Sequence, residues 1–319
     1  LIFVFAKKLF NNFTLAICCA ITFFLLPSVS LSSFLLSTDC LLIFFWTWGL
    51  IQVLKIKENP SYINFIILGF VVGFAFLTKY AAIYFIISLF FLATIEKDFR
   101  LLFFKSKTKL LISFLILMLV LLPNIMWNYQ NDWLTLDHTA KNASLNKIHF
   151  NLLGFSNFLI SQVIMVGPIL VASFIFCLLK KYKIDFKQKF LISFAIPTLI
   201  IVSIESLLVR AHANWAAVSL ISLLILMIGI VHKVNKNIIL INNYANLLIG
   251  VVFFVLIGVS SSWGVFGPIR EMGDLANLIK TSTSGHKNNL VVGDRMLFAN
   301  LSYEFFKTDT KIYSPYIPG

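Results

Sequence analysis

The chain has 319 residues, of which 59% are hydrophobic, and its mean hydropathy is +0.92. Because soluble globular domains are about 45–50% apolar, this composition excludes an ordinary soluble domain and indicates several transmembrane helices. The formal net charge is +13, which we assign to basic cytoplasmic loops and not to a nucleic-acid partner. The four cysteines show no metal-ligand spacing and are interpreted as apolar filler.

Apolar runs predict about nine membrane spans, so the expected fold class is an all-α polytopic membrane protein. In chain order the spans lie near 13–31, 40–54, 61–78, 80–95, 110–126, 152–179, 190–208, 214–231 and 245–263. A single helix over 61–95 would be about 52 Å long, against about 30 Å of hydrocarbon, so this stretch counts as two spans. Lys79 marks the hairpin between them.

The basic residues predict the topology, because Lys and Arg concentrate in cytoplasmic loops. One set of alternate loops holds Lys7, Lys8, Lys55, Lys57, Lys97, Arg100, Lys105, Lys107, Lys109, Lys180, Lys181, Lys183, Lys187, Lys189, Lys233 and Lys236. The opposite loops hold Lys79, Lys141, Lys147 and Arg210. The first set is therefore expected to be cytoplasmic and the second extracytoplasmic.

Two domains are predicted: a transmembrane domain over 1–263 and the start of an extracytoplasmic α/β domain over 264–319. The second segment is rich in charged and polar residues and contains no span. Its pattern predicts a strand at 289–292, a helix at 294–306 with Asp294 as N-cap, and a strand at 311–314.

Four polar segments remain on the extracytoplasmic face, and we expect them to form one site. They are 37–39, 78–80, the loop 123–150 and 210–215. Lysine and arginine bind phosphate, tryptophan faces suit sugar rings, and a carboxylate or histidine could be a general base. The combination favours an anionic, lipid-linked sugar substrate. The candidate residues are Lys79 and Arg210 for phosphate, with Asp39, Tyr80, Trp127, Asn128, Asp137, His138, His212, Asn214 and Trp215 as further substrate-site positions.

Each candidate also has a structural interpretation. Asp39 could N-cap the second span, and Lys79 could extend its charge to the membrane edge. The tryptophans could belong to an interfacial aromatic belt, and Asp137-His138 could be ordinary loop polarity. Arg210 could pair with Glu205, whose charge hydrocarbon would not tolerate alone.

The ordered segments LSTD (36–39), GFAFLTKY (73–80), PNIMWNYQNDW (123–133) and ANW (213–215) resemble bacterial membrane glycosyltransferases of the GT-C class. The group they resemble most is related to protein O-mannosyltransferases and to lipid A aminoarabinose transferases. VVGDR (291–295) is similar to the start of that family's C-terminal periplasmic part.

The resemblance implies that a sugar passes, with inversion, from a polyprenyl-phosphate carrier to a cell-envelope acceptor. That acceptor would be lipid A, another glycan or a protein. The implied location is the bacterial inner membrane, with the active face and C-terminal domain periplasmic. We predict no cofactor and no protein metal site; dependence on a divalent cation stays open.

The resemblance also suggests residue roles. Lys79 matches a phosphate-contacting lysine, Asp39 an acidic position that organises the site, and Trp127, Asn128 and His138 a loop that contacts donor or acceptor. Two features depart from the family. Its principal catalytic acid is expected in a loop upstream of Leu1, so the catalytic residue stays unassigned. Many relatives have Lys-Gly-Pro where this chain has Lys79-Tyr80-Ala81.

Two other functions remain open. A transporter or lipid flippase would show repeats, broken helices and charges deep within spans. A non-catalytic split-gene remnant would have the same sequence as the transferase fragment but no activity of its own.

Overall fold

A computed structural model describes residues 1–32, 37–143, 149–179, 184–259, 267–283, 289–306, 308 and 310–315. The chain divides into two compact units, Leu1–Gly250 and Val251–Gly319. The division falls inside a helix, thirteen residues before the domain boundary predicted at 263.

Helices dominate both units. The first helices are α1 Ile2–Phe10, α2 Phe13–Leu25, α3 Pro27–Ser32, α4 Thr38–Glu58, α5 Tyr62–Thr78, α6 Ile83–Ile95, α7 Lys97–Lys105, α8 Lys107–Gln130 and α9 Leu134–Ala143. They are followed by α10 Leu152–Val166, α11 Pro168–Leu178, α12 Phe186–Ser193, α13 Ile196–Leu208, α14 Ala217–Val234, α15 Lys236–Val259, α16 Gly267–Thr283 and α17 Arg295–Glu304. Short 3-10 turns, Tyr80–Ala82 and Ala213–Ala216, precede α6 and α14.

Five described helical segments are long and apolar enough to cross a membrane, and seven qualify if each of two bent helix pairs is one span. The five are Thr38–Glu58, Lys107–Gln130, Phe186–Leu208, Ala213–Val234 and Lys236–Leu256. Helices α2 and α5 are apolar but shorter; at 1.5 Å per residue they are about 20 and 26 Å long. The predicted all-α fold with several candidate spans is therefore confirmed among the described residues, whereas the number of nine spans is not.

The span predicted at 152–179 is broken into two helices. Helices α10 and α11 meet at Gly167 and are bent by 98°. Gly167 has φ +104°, a left-handed conformation that favours glycine, and Pro168 begins α11. The buried Asn242 side chain accepts a hydrogen bond from the backbone N–H of Leu170 at 3.2 Å. Asn242 therefore satisfies a donor in the first turn of α11.

Helix α5, which ends at the hairpin lysine Lys79, packs closely against α8. A Cβ added at Gly69 would lie 2.4 Å from the Ser113 carbonyl oxygen, and one at Gly73 would lie 2.9 Å from Val120 Cβ. Small residues four apart allow helix backbones to approach in this way. The glycine pair thus determines how far apart the two helices sit.

Three aromatic rings form part of the core where α4, α6 and the α12–α13 segment meet. Trp46 and Phe85 are edge-to-face with centroids 5.1 Å apart, and Phe194 lies 5.0 Å from Phe85. All three side chains are almost fully buried. Such rings bury large apolar areas and prefer these tilted arrangements.

Loops predicted to share the basic side of the membrane contact one another. Lys8 pairs with Glu58 at the end of α4, and Lys189 pairs with Glu96 at 2.8 Å. The Lys57 ammonium lies 3.6 Å from the centre of the Phe186 ring. These contacts agree with the predicted alternation of loops.

The second unit contains the elements predicted after residue 288. Strands β1 Asn289–Val291 and β2 Lys311–Tyr313 pair in parallel. The Asp294 carboxylate accepts a hydrogen bond from Leu297 N at 2.7 Å, so the predicted N-cap of α17 is confirmed. The helix α16, with buried Ala276, had not been predicted. The complete α/β domain stays a prediction.

Candidate functional site

Asp39 joins three segments that are distant in sequence. Its Oδ1 lies 2.7 Å from the Lys79 ammonium, and its Oδ2 accepts a hydrogen bond from Asn214 Nδ2, also at 2.7 Å. The N-cap of α4 is Ser37, and Asp39 lies in the first helical turn. The structural interpretation of Asp39 as the N-cap is therefore wrong, and both carboxylate oxygens bind other segments.

Lys79 is held at the end of α5 by local hydrogen bonds. Its backbone N–H donates to Ala75 O at 3.1 Å, and the Thr78 hydroxyl donates to the same carbonyl at 2.7 Å. The backbone then becomes extended at Lys79 before the 3-10 turn at 80–82. The Lys79 side chain stays 30% exposed although it is ion-paired, so its ammonium can also reach a ligand.

A second polar network fixes Tyr80 against α8 and α9. The Tyr80 hydroxyl donates to Asn124 Oδ1 at 3.0 Å and lies 2.9 Å from the Thr135 hydroxyl. Asn128 is buried; its Nδ2 donates to Asn124 O at 2.9 Å, and its Oδ1 accepts from the Thr135 hydroxyl. The network ties the hairpin to the polar end of α8, as the grouping of these segments predicted.

A cavity of about 390 Å³ opens beside the hairpin. Its volume falls within the range of small-molecule sites, about 300–1,000 Å³. The lining combines one ammonium, one carboxylate, three aromatic rings and a threonine with aliphatic groups. The residues are Lys79, Tyr80, Ala81, Ile83, Tyr84, Thr139, Glu205 and Trp215.

The segment before α14 brings Trp215 to this cavity. Its ring is edge-to-face with His212, with centroids 5.4 Å apart. Gln162 from α10 donates to Ala213 O at 3.0 Å and fixes the turn. Of the predicted residues in this segment, Trp215 lines the cavity, Asn214 binds Asp39, and His212 supports the tryptophan ring.

Of the eleven predicted site residues, three line the cavity: Lys79, Tyr80 and Trp215. Trp127 is 45% exposed near the end of α8, and Asp137, His138 and Arg210 are also exposed. Asn128 contacts the site from outside the cavity: its Nδ2 donates to the Tyr80 hydroxyl at 3.5 Å, and its Oδ1 accepts from Thr135. The structure therefore brings Asp39, Lys79, Tyr80, Asn214 and Trp215 together more tightly than the other candidates.

Three cavity residues were absent from the predicted site: Tyr84, Thr139 and Glu205. Glu205 had been noted as a charge within a span, interpreted as a partner of Arg210. Within the described parts of the chain, no ion pair joins Glu205 to Arg210. A carboxylate within a predicted span could have identified Glu205 as a site residue. The expected pairing with Arg210 assigned it a structural role instead.

Over the residues that the structure describes, no group of three or more His, Cys, Asp or Glu side chains could hold a metal ion. The site's described polar groups are thus a lysine, isolated carboxylates, amides and hydroxyls.

Comparison with known proteins gives two matches. The family described as "Dolichyl-phosphate-mannose-protein mannosyltransferase" matches residues 1–127. The lipid A galacturonosyltransferase RgtD of Rhizobium johnstonii is 29% identical over 217 residues, which cover 66% of this chain and 44% of that protein. The chain thus aligns with less than half of this relative's length. No solved structure matches the chain.

Proposed function

We propose that the protein transfers a sugar from a polyprenyl-phosphate carrier. The proposal starts from the similarity of this chain to GT-C membrane glycosyltransferases, which are related to protein mannosyltransferases and lipid A-modifying enzymes. The acceptor is a cell-envelope molecule: lipid A, another glycan or a protein. The reaction takes place at the periplasmic face of the bacterial inner membrane. The five to seven candidate spans suit a lipid-linked donor.

The observation that carries this proposal is the position of Lys79. Its ammonium borders the cavity and bonds to Asp39 at 2.7 Å. Lysine has three N–H donors, and Asp39 takes one of them. The other two are available to a phosphate oxygen, while Asp39 and its partner Asn214 keep the ammonium in place. Lys79 is therefore a preorganised cation at one end of a sugar-sized space.

The proposed chemistry is a displacement at the anomeric carbon. The bond from that carbon to the carrier phosphate oxygen breaks, the bond to the acceptor hydroxyl oxygen forms, and the acceptor proton passes to a base. Negative charge develops on the leaving phosphate, where a fixed ammonium stabilises it most. The Trp215 ring offers an apolar surface to the sugar. Arg210, which is exposed and outside the cavity lining, would assist at the carrier phosphate from the membrane side.

The name of the Rhizobium relative specifies lipid A as its acceptor and galacturonate as its sugar. We extend only the acceptor class to this chain, so a lipid A-type glycolipid is favoured among the three proposed acceptors. In this proposal Lys79, held by Asp39 and Asn214, binds the phosphate. The sugar is bound by other residues that line the cavity.

The test is transfer from a radiolabelled polyprenyl-phosphate sugar to envelope glycolipids in membranes that contain the intact protein. We expect Lys79→Ala to lower the transfer rate about 100-fold, since removal of one preorganised donor to a developing charge costs about 10²–10³ in rate. Lys79→Arg retains the charge and should recover part of the activity.

Lys8→Ala is the matched control, because Lys8 also pairs with a carboxylate, that of Glu58, but lies near the other end of α4. Its transfer rate should stay near that of the wild type. A well-folded Lys79→Ala protein with normal turnover would contradict the phosphate role. Failure of the wild type to use any polyprenyl-phosphate sugar would contradict the proposed function itself.

One observation favours a transporter as the second candidate. The 98° break between α10 and α11 lies beside the buried amides of Asn242 and Asn246, and transporters use broken helices at substrate sites. Asn242 already accepts from Leu170 N, which gives this amide a structural role. Lipid or sugar movement into sealed vesicles, unaffected by Lys79→Ala, would support transport over transfer.

A further inference from the structure

Glu205 is the acidic residue of the cavity lining, and it faces the same space as Lys79 and Trp215. It lies on α13, one turn before the helix ends at Leu208. The carboxylate is half-buried and belongs to a helix with no other charged residue. The phosphate role of Lys79 does not use it.

The Glu205 carboxylate has no hydrogen-bond or ion-pair partner among the residues that the structure describes. Lys79, the ammonium in the same cavity, bonds to Asp39 instead. A carboxylate removed from water without donors is costly, so a ligand with donor groups would be favoured here. An ionised carboxylate has only acceptors, which excludes an anionic group as its direct neighbour.

We propose that Glu205 determines sugar specificity: its carboxylate accepts a hydrogen bond from a hydroxyl or ammonium group of the saccharide bound in this cavity, and it disfavours a saccharide that carries a carboxylate. The ligand class is therefore a neutral or amino sugar and not a uronate. This inference rests on the proposed function, because it takes the ligand to be a saccharide. The saccharide is the donor sugar or the sugar of a glycolipid acceptor.

The arrangement separates two recognition tasks by charge. Lys79 with Asp39 faces the phosphate, and Glu205 with Trp215 faces the sugar, so opposite charges border one cavity of about 390 Å³. A sugar presents hydroxyl donors at its edge and an apolar ring face. The edge suits the carboxylate and the face suits the indole ring.

The experiment measures binding of matched lipids to the intact purified protein by native mass spectrometry, followed by transfer assays. The first pair is a polyprenyl-phosphate hexose and the corresponding hexuronate, which differ only by CH₂OH against a carboxylate. The second pair is an alkyl hexoside and the corresponding alkyl hexuronide, which have no phosphate. Discrimination in the first pair alone indicates the donor sugar, and discrimination in the second alone indicates the acceptor.

We expect the wild type to bind the hexose lipid about 10- to 100-fold more tightly than the hexuronate, the range of one charge-assisted hydrogen bond. Glu205→Gln should reduce this ratio to a few-fold, because an amide can also donate to a carboxylate. Glu58→Gln is the control. It removes the same charge from an exposed glutamate at the C-terminal end of α4, away from Asp39, and should keep the wild-type ratio.

Equal or tighter binding of both hexuronates by the wild type overturns the inference, as does an unchanged ratio in Glu205→Gln. Binding of neither pair overturns the inference together with the proposed function. Preferential binding of the hexose lipids that Glu205→Gln reduces, without any transfer, supports Glu205 as the selective residue and contradicts only the transferase proposal.

Discussion

Gly69 lies where α5 approaches α8, and Gly69→Ala tests whether this contact positions the candidate site. A Cβ at this position would lie 2.4 Å from the Ser113 carbonyl oxygen, whereas ordinary contacts begin near 3.4 Å. The obstacle is backbone and cannot rotate away. The helices must therefore separate by about 1 Å to accept one methyl group.

The consequence for the site follows from the hydrogen bond between Tyr80 and Asn124, which links the end of α5 to α8 at 3.0 Å. A separation of about 1 Å would stretch it to about 4 Å, beyond hydrogen-bond range. We expect overpacking to cost about 1–3 kcal/mol of stability. The gain in helix propensity from Gly to Ala, about 1 kcal/mol, offsets part of this cost.

The assay is thermal unfolding of the detergent-solubilised protein, together with the transfer rate. Gly273→Ala is the matched control, because the same change in α16 meets nothing within 4 Å. Gly69→Ala should lower both Tm and transfer relative to Gly273→Ala. Equal Tm values and transfer rates in the two variants would refute the argument that the glycine contact sets the site.

Two further changes test contacts between distant segments. Asp39→Ala should lower the free energy of unfolding by about 1–3 kcal/mol, because a partly buried ammonium loses its partner. In a double-mutant cycle with Lys79→Ala the two effects should be non-additive. Simple additivity would contradict the pairing. Gly167→Ala should lower Tm more than Gly250→Ala. It imposes φ +104° on alanine and places a Cβ 2.9 Å from Asn242 Oδ1. A Cβ added at Gly250 would lie 3.8 Å from its nearest neighbour. Thermal unfolding measures both, and equal Tm values in the two glycine variants would contradict the second prediction.

Features that depend on local sequence could be predicted: the apolar helices, one hairpin and one helix cap. Apolar runs identified the helices, and the hairpin at Lys79 was placed correctly because a charge interrupts a stretch too long for one span. The Asp294 cap of α17 was also predicted from sequence. Such features depend on a residue and its near neighbours, so the sequence contains their cause.

Contacts between distant segments depended on the tertiary structure. Asp39 looked like a helix cap, but packing brings α4, the hairpin and the turn before α14 together, so its carboxylate binds Lys79 and Asn214. Glu205 turns toward a cavity that exists only after α6, α9 and α13 have assembled. The sequence by itself determined the apolar helices and the polar groups near their ends, but not the helices α9 and α16. Only the tertiary structure decided which of these groups meet, because a side chain's partner depends on helix distance and rotation, which local residue order does not specify.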